Sequence, residues 1–194
     1  MQEFNAFLDL LLMLATDPRT GVLMALLVIA AVIDCRSYRI PNWLTLGGIV
    51  FALIYRTLFA RTHLSGFTDS MGGLLVGFGI MLPLYVLKAM GAGDVKLMAM
   101  VGAFLGVQET LYAVLFTFIV GGVAAITFAL FNKAAVRMFA NIRNVIQNMF
   151  ASATLGLKVD ARVDMGQSVG RLPYAVSICV GTIVFVLARQ LGFA

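Results

Sequence analysis

Apolar residues gather along this chain in long unbroken runs. Five of them approach the about 20 residues that a helix needs to cross about 30 Å of hydrocarbon: residues 21–33, 43–60, 71–87, 111–131 and 172–191. A sixth run, 95–107, is apolar apart from Lys96 but short. The pattern predicts an all-α, polytopic integral membrane protein with about six transmembrane helices, forming a single membrane-embedded domain over 1–194. Residues 4–15 make a shorter apolar stretch that carries Asp9 and stops at Thr16-Asp17-Pro18. That stretch reads as an interfacial helix or an outward extension of the first span, so 1–20 is expected on the outer side. The start is acidic at Glu3 and no small-residue cleavage pattern follows, which argues against a removed signal peptide.

Composition narrows the choice of solvent. The chain is 61% hydrophobic and 12% charged, with a mean hydropathy of +0.99; a soluble domain runs nearer about 45–50% apolar and about 25% charged. A disordered chain is excluded by the same figures, and a disulfide scaffold by the presence of two cysteines in 194 residues. The net charge of +5 reflects one-sided basic loops, and no nucleic-acid partner is expected. Arg36, Arg39, Lys88, Lys96, Lys133, Arg137, Arg143, Lys158, Arg162 and Arg171 follow the odd-numbered spans, against Arg19, Arg56, Arg61 and Arg189 on the other side. By the positive-inside rule the N-terminus faces outward, and the loops near 34–42, 88–94 and 132–171 face the cytoplasm across the inner membrane. Within the last loop, Val136, Phe139, Ile142, Val145, Ile146 and Met149 fall at helical spacing. They suit an amphipathic helix on the anionic leaflet, or equally a helix packed beneath the bundle.

Two of the nine acidic residues stand at membrane depth. Asp34 follows the run Val28-Ile29-Ala30-Ala31-Val32-Ile33, and Asp94 follows Gly91-Ala92-Gly93 and opens the short sixth run. Ionisable groups there are costly, and their default reading is a functional site lining a wet cavity. Two spans separate them, so both lie at cytoplasmic helix ends and can meet. The apolar runs bearing them are short for the bilayer, which sets the carboxylates somewhat below the inner surface. Neighbouring carboxylates cannot both ionise cheaply; a pair shares one proton and can activate water with one member while the other donates to a carbonyl. This is the reagent set of aspartic peptide hydrolysis.

The residues around the pair are read as shaping it. Gly91 and Gly93 are expected to take backbone angles closed to other residues and to admit a substrate strand. Pro41 and Asn42 form the turn into the second span and fix how Asp34 is presented. Lys96 lies two positions beyond Asp94 on a helix, facing elsewhere, and reads chiefly as a snorkelling anchor, with tuning of the site as the lesser alternative. Asp94 also suits an ordinary helix cap, which does not conflict with catalysis. Gly73-x-x-x-Gly77 and Gly102-x-x-x-Gly106 suit close helix packing, His63 reads as an outer-loop residue, and Cys35 and Cys179 are not expected to pair. No cofactor is implied, and a metal site at the aspartates lacks histidine or further carboxylates.

Asp34-Cys35-Arg36-Ser37-Tyr38-Arg39-Ile40-Pro41-Asn42, followed by Gly91-Ala92-Gly93-Asp94-Val95-Lys96-Leu97, resembles the prepilin peptidases (type IV leader peptidases), Gly-x-Gly-Asp membrane aspartic proteases. The resemblance implies that Asp34 and Asp94 are the catalytic pair. Pro173-Tyr174 is similar to a Pro-Tyr or Pro-Phe element of the family, although Ala175 stands where glycine is common. The larger members carry paired Cys-x-x-Cys zinc motifs linked to methylation. With only Cys35 and Cys179, the chain looks like the short peptidase-only branch serving tight-adherence (Flp-type) pili. The implied substrate is a prepilin, a short basic leader followed by a hydrophobic helix, cut after a glycine at the membrane boundary. Contact with the pilus assembly machinery is a further partner the resemblance allows.

Three other classes compete. A proton- or cation-coupled transporter would use the same two aspartates, but such sites sit near the midplane between repeated halves, and no internal repeat is visible. Proteases of the presenilin kind have more spans and a Tyr-Asp first motif, which Ile33-Asp34 does not match. A structural pilus subunit would not need paired aspartates.

Overall fold

A computed structural model describes residues 18–60, 62–87, 89–131 and 174–190. These form six α-helices: α1 (Pro18–Ser37), α2 (Asn42–Phe59), α3 (His63–Val86), α4 (Ala92–Leu105), α5 (Val107–Phe131) and α6 (Tyr174–Gln190). No strand occurs among the described residues. Helices α1, α2, α3 and α5 are long and apolar enough to cross a membrane; α6 is a shorter apolar helix. The outer-side segment before Pro18 and the amphipathic helix expected within 132–171 lie outside the described residues.

The bundle is organised around α4. From Val95 to Leu105 this helix is buried except at Lys96, and its 14 residues rise only about 21 Å. Against it pack α3 along one side, α2 and α5, and the facing sides of α1 and α6. The outer surfaces of the long helices carry exposed apolar side chains such as Val32, Val50, Ile54, Leu75, Leu115 and Ile119, as a lipid-facing surface requires.

Small residues bring the backbones together. At the crossing of α3 and α4 a Cβ on Gly73 would lie 2.1 Å from the Gly102 carbonyl oxygen, and one on Gly77 would lie 2.5 Å from that of Met98. Ser70 Oγ donates to the Ala103 carbonyl at 2.7 Å, adding a buried bond to the same seam. Helices α5 and α6 meet in the same manner where Gly181 rests on Thr117.

Several boundaries differ from the hydropathy reading. Helix α3 begins at His63, eight residues before the apolar run. Its cap is Thr62, whose side chain accepts from the Ser65 N–H. His63 is therefore helical, with Nδ1 2.7 Å from the Thr57 carbonyl oxygen. Only Gly106 separates α4 from α5, with φ +92°, so its expected role in helix packing is joined by that of a chain break. Arg56 and Asp69 clasp this break. Arg56 pairs with Asp69 and donates to the Phe104 carbonyl at 3.0 Å, while Asp69 Oδ1 accepts from the Val107 N–H at 3.2 Å.

Candidate active site

Asp34 lies in the last turn of α1. The helix ends because Tyr38 takes a left-handed conformation, φ +50°, and donates its N–H to the Asp34 carbonyl at 2.9 Å. This is the simple left-handed C-terminal cap, here on a tyrosine rather than the usual glycine. The chain then runs through Ile40 to Pro41, whose φ of −65° and ψ of 136° make it the N-cap of α2. Its carbonyl accepts from the N–H groups of Leu44 and Thr45. Pro41 and Asn42 thus form the predicted turn.

Asp94 is the third residue of α4. Its Oδ2 accepts from the Gly91 N–H at 3.0 Å, and its own N–H donates to the Gly91 carbonyl at 3.2 Å. The expectation for the glycines is corrected here. Gly91 sits at φ −82° and ψ 156°, ordinary extended backbone, and Gly93 is helical without positive φ. What Gly93 supplies is space, since a Cβ would lie 3.2 Å from Ile40 Cβ. Lys96 Nζ donates to Asn42 Oδ1 at 2.9 Å, joining the second motif to the first.

Both aspartates are at the same end of the bundle and buried, at 6% and 8% relative exposure. Among the described residues each accepts one hydrogen bond, through Oδ2. Asp34 Oδ2 accepts from the Ala175 N–H at 3.2 Å, in the first turn of α6, where free N–H groups and the helix dipole favour an anion. The α6 contribution had no side-chain signature to read, because the donor is a main-chain amide; the only signal was Pro173-Tyr174 at the start of an apolar run. Among the described residues, no group of three or more His, Cys, Asp or Glu comes together as a metal site would require. Cys35 is exposed, Cys179 is buried, and both are free.

Residues 21–126 match the model of the type IV leader peptidase family. The chain belongs to that family. The matched segment holds Asp34, Asp94, Pro41, Asn42, Gly91, Gly93 and Lys96, and membership in the type IV leader peptidases makes the chain a protease of prepilin-processing type. Helix α6 lies beyond the match yet supplies the amide that holds Asp34. No curated protein and no solved structure matches the chain.

Proposed function

We propose that this leader peptidase is an aspartic endopeptidase, a single membrane-embedded unit that removes the short cytoplasmic leader from Flp-type prepilins. The observation that carries the reading is that Asp34 and Asp94 are both buried at one end of the bundle, each accepting a main-chain N–H through Oδ2. In this reading the two Oδ1 atoms serve a water and the scissile peptide. The ionised member takes a proton from water as its oxygen bonds to the carbonyl carbon. The protonated member gives its proton to the carbonyl oxygen. Collapse of the tetrahedral intermediate breaks the C–N bond, the amine leaves with a proton, and the pair again holds one proton. The two titrate as a unit, so acid and base roles belong to the pair.

Cleavage after a glycine at the membrane boundary suits carboxylates at a helix end, where a substrate helix gives way to its leader. The basic residues of the described turn, Arg36 and Arg39, support a cytoplasmic placement for this end, with the N-terminus outward in the inner membrane. The test is co-expression with candidate prepilins, scored by the gel shift on leader removal. Asp34→Asn and Asp94→Asn each abolish cleavage while the protein still inserts. Processing retained in either variant overturns the proposal.

A further inference from the structure

The strap that leads from α1 to α2 is fastened to α4 at two points. Ile40 packs on Gly93 so closely that a Cβ there would lie 3.2 Å from Ile40 Cβ. Three residues along the same helix face, Lys96 Nζ bonds Asn42 Oδ1 across 54 positions of sequence. The bond is charge-assisted, because its donor is an ammonium, and it is exposed to solvent. At its other end the strap is tied to the catalytic segment itself, through the Tyr38 N–H on the Asp34 carbonyl. Asp94 sits between Gly93 and Lys96, with its carboxylate turned back on Gly91. The ammonium of Lys96 forms no ion pair with either aspartate; its hydrogen bond goes to Asn42.

We propose that Lys96 and Asn42 are positioning residues whose hydrogen bond locks the 38–42 strap onto the first turn of α4 and so holds Asp34 opposite Asp94. The inference rests on the aspartic-peptidase reading above. It separates Lys96 from a simple membrane anchor, which would need no particular partner, and from an electrostatic tuner of Asp94, which would work without Asn42.

The experiment uses the full chain in lipid vesicles with a prepilin substrate, comparing K96M, N42L, the K96M/N42L double variant and N42D. A misplacement of about 1 Å in a catalytic group can cost about a hundredfold in rate. K96M and N42L are each expected to lower kcat about 10- to 100-fold, with KM changed less than about threefold. The double variant loses no more than the worse single one, because both remove one bond. N42D keeps an acceptor oxygen for the ammonium and recovers most of the rate that N42L loses. Full activity in K96M, a double variant whose loss is the product of the two single losses, or N42D as slow as N42L overturns the positioning role. D34N and D94N run beside them: if these are inactive while K96M is normal, only the strap inference falls, whereas cleavage by D34N or D94N removes the aspartic reading itself.

Discussion

Replacing Gly102 by alanine puts the packing of α3 on α4 to a direct test. The added Cβ would lie 2.1 Å from the Gly73 carbonyl oxygen and 2.6 Å from its carbon. Neither atom can swing aside as a side-chain tip would. The helices must part by about 1 Å before ordinary contact distances return. That separation also stretches the 2.7 Å bond from Ser70 Oγ to the Ala103 carbonyl beyond hydrogen-bond range. Overpacking of this kind costs about 1–3 kcal/mol, and the lost bond adds about 0.5–1.5 kcal/mol. In lipid no hydrophobic gain offsets the lost van der Waals contact, because the tails are as apolar as the helices they surround. The expected destabilisation is therefore about 2–4 kcal/mol. Gly47→Ala is the internal control: it is helical with nothing within 4 Å of its Cβ position, so helix propensity alone acts and stability rises by up to about 1 kcal/mol. Unfolding in detergent micelles, followed by circular dichroism against denaturant, reads both. A Gly102→Ala protein within about 0.5 kcal/mol of the parent, or a Gly47→Ala protein equally damaged, would refute the reasoning.

Other outcomes follow from individual residues. Tyr38→Gly relieves a left-handed conformation in a residue with a Cβ and should raise stability by about 1 kcal/mol in the same unfolding assay. Gly91→Ala should leave stability within about 0.5 kcal/mol, because its backbone angles suit any residue and its Cβ would meet Asp94 Oδ2 at 3.4 Å and the Gly93 nitrogen at 3.9 Å, both ordinary contacts. Gly93→Val, by contrast, drives into Ile40 and should cost about 1–3 kcal/mol. Arg56→Met removes the bond to the Phe104 carbonyl and the pairing with Asp69. Since the Asp69 side chain is 43% exposed, solvent weakens the ion pair, and the loss should be about 1–2 kcal/mol, chiefly from the carbonyl bond.

How much of this was legible in the chain depends on which interaction a residue type advertises. The parity argument that brings Asp34 and Asp94 to one end needed only the count of apolar runs, because a helix that enters a bilayer must leave it. Hydropathy misplaced the start of α3 because it registers contact with lipid, whereas a helix persists as long as its backbone bonds are met. Thr62 and Ser65 cap eight residues that no apolar window includes. The Lys96–Asn42 bond was hidden for a different reason: a flexible ammonium reaches any acceptor within the length of its stem, and only the fold says which turn lies there.

The least legible feature is the one on which the site depends most, the central position of α4. Its run reads like a deficient span, too short for the hydrocarbon. The structure gives the reason: from Val95 to Leu105 the helix is buried by protein on nearly every side, so no lipid thickness sets its length. Lipid and protein interior are both apolar, and a window average cannot tell burial in one from burial in the other. Residue size can. Where α2 presents Trp43, Leu46, Val50 and Ile54 outward, α4 carries Ala99 between Met98 and Met100, and Gly102 and Ala103 between Val101 and Phe104. Small residues at that spacing make sense only where another backbone approaches, and here the approaching backbones are those of α3 at Gly73 and Gly77. A carboxylate opening such a helix is surrounded by protein from its second turn onward. That explains how Asp94 can be recessed and still lie at a helix end, beside a strap and a neighbouring helix terminus that come from distant parts of the chain.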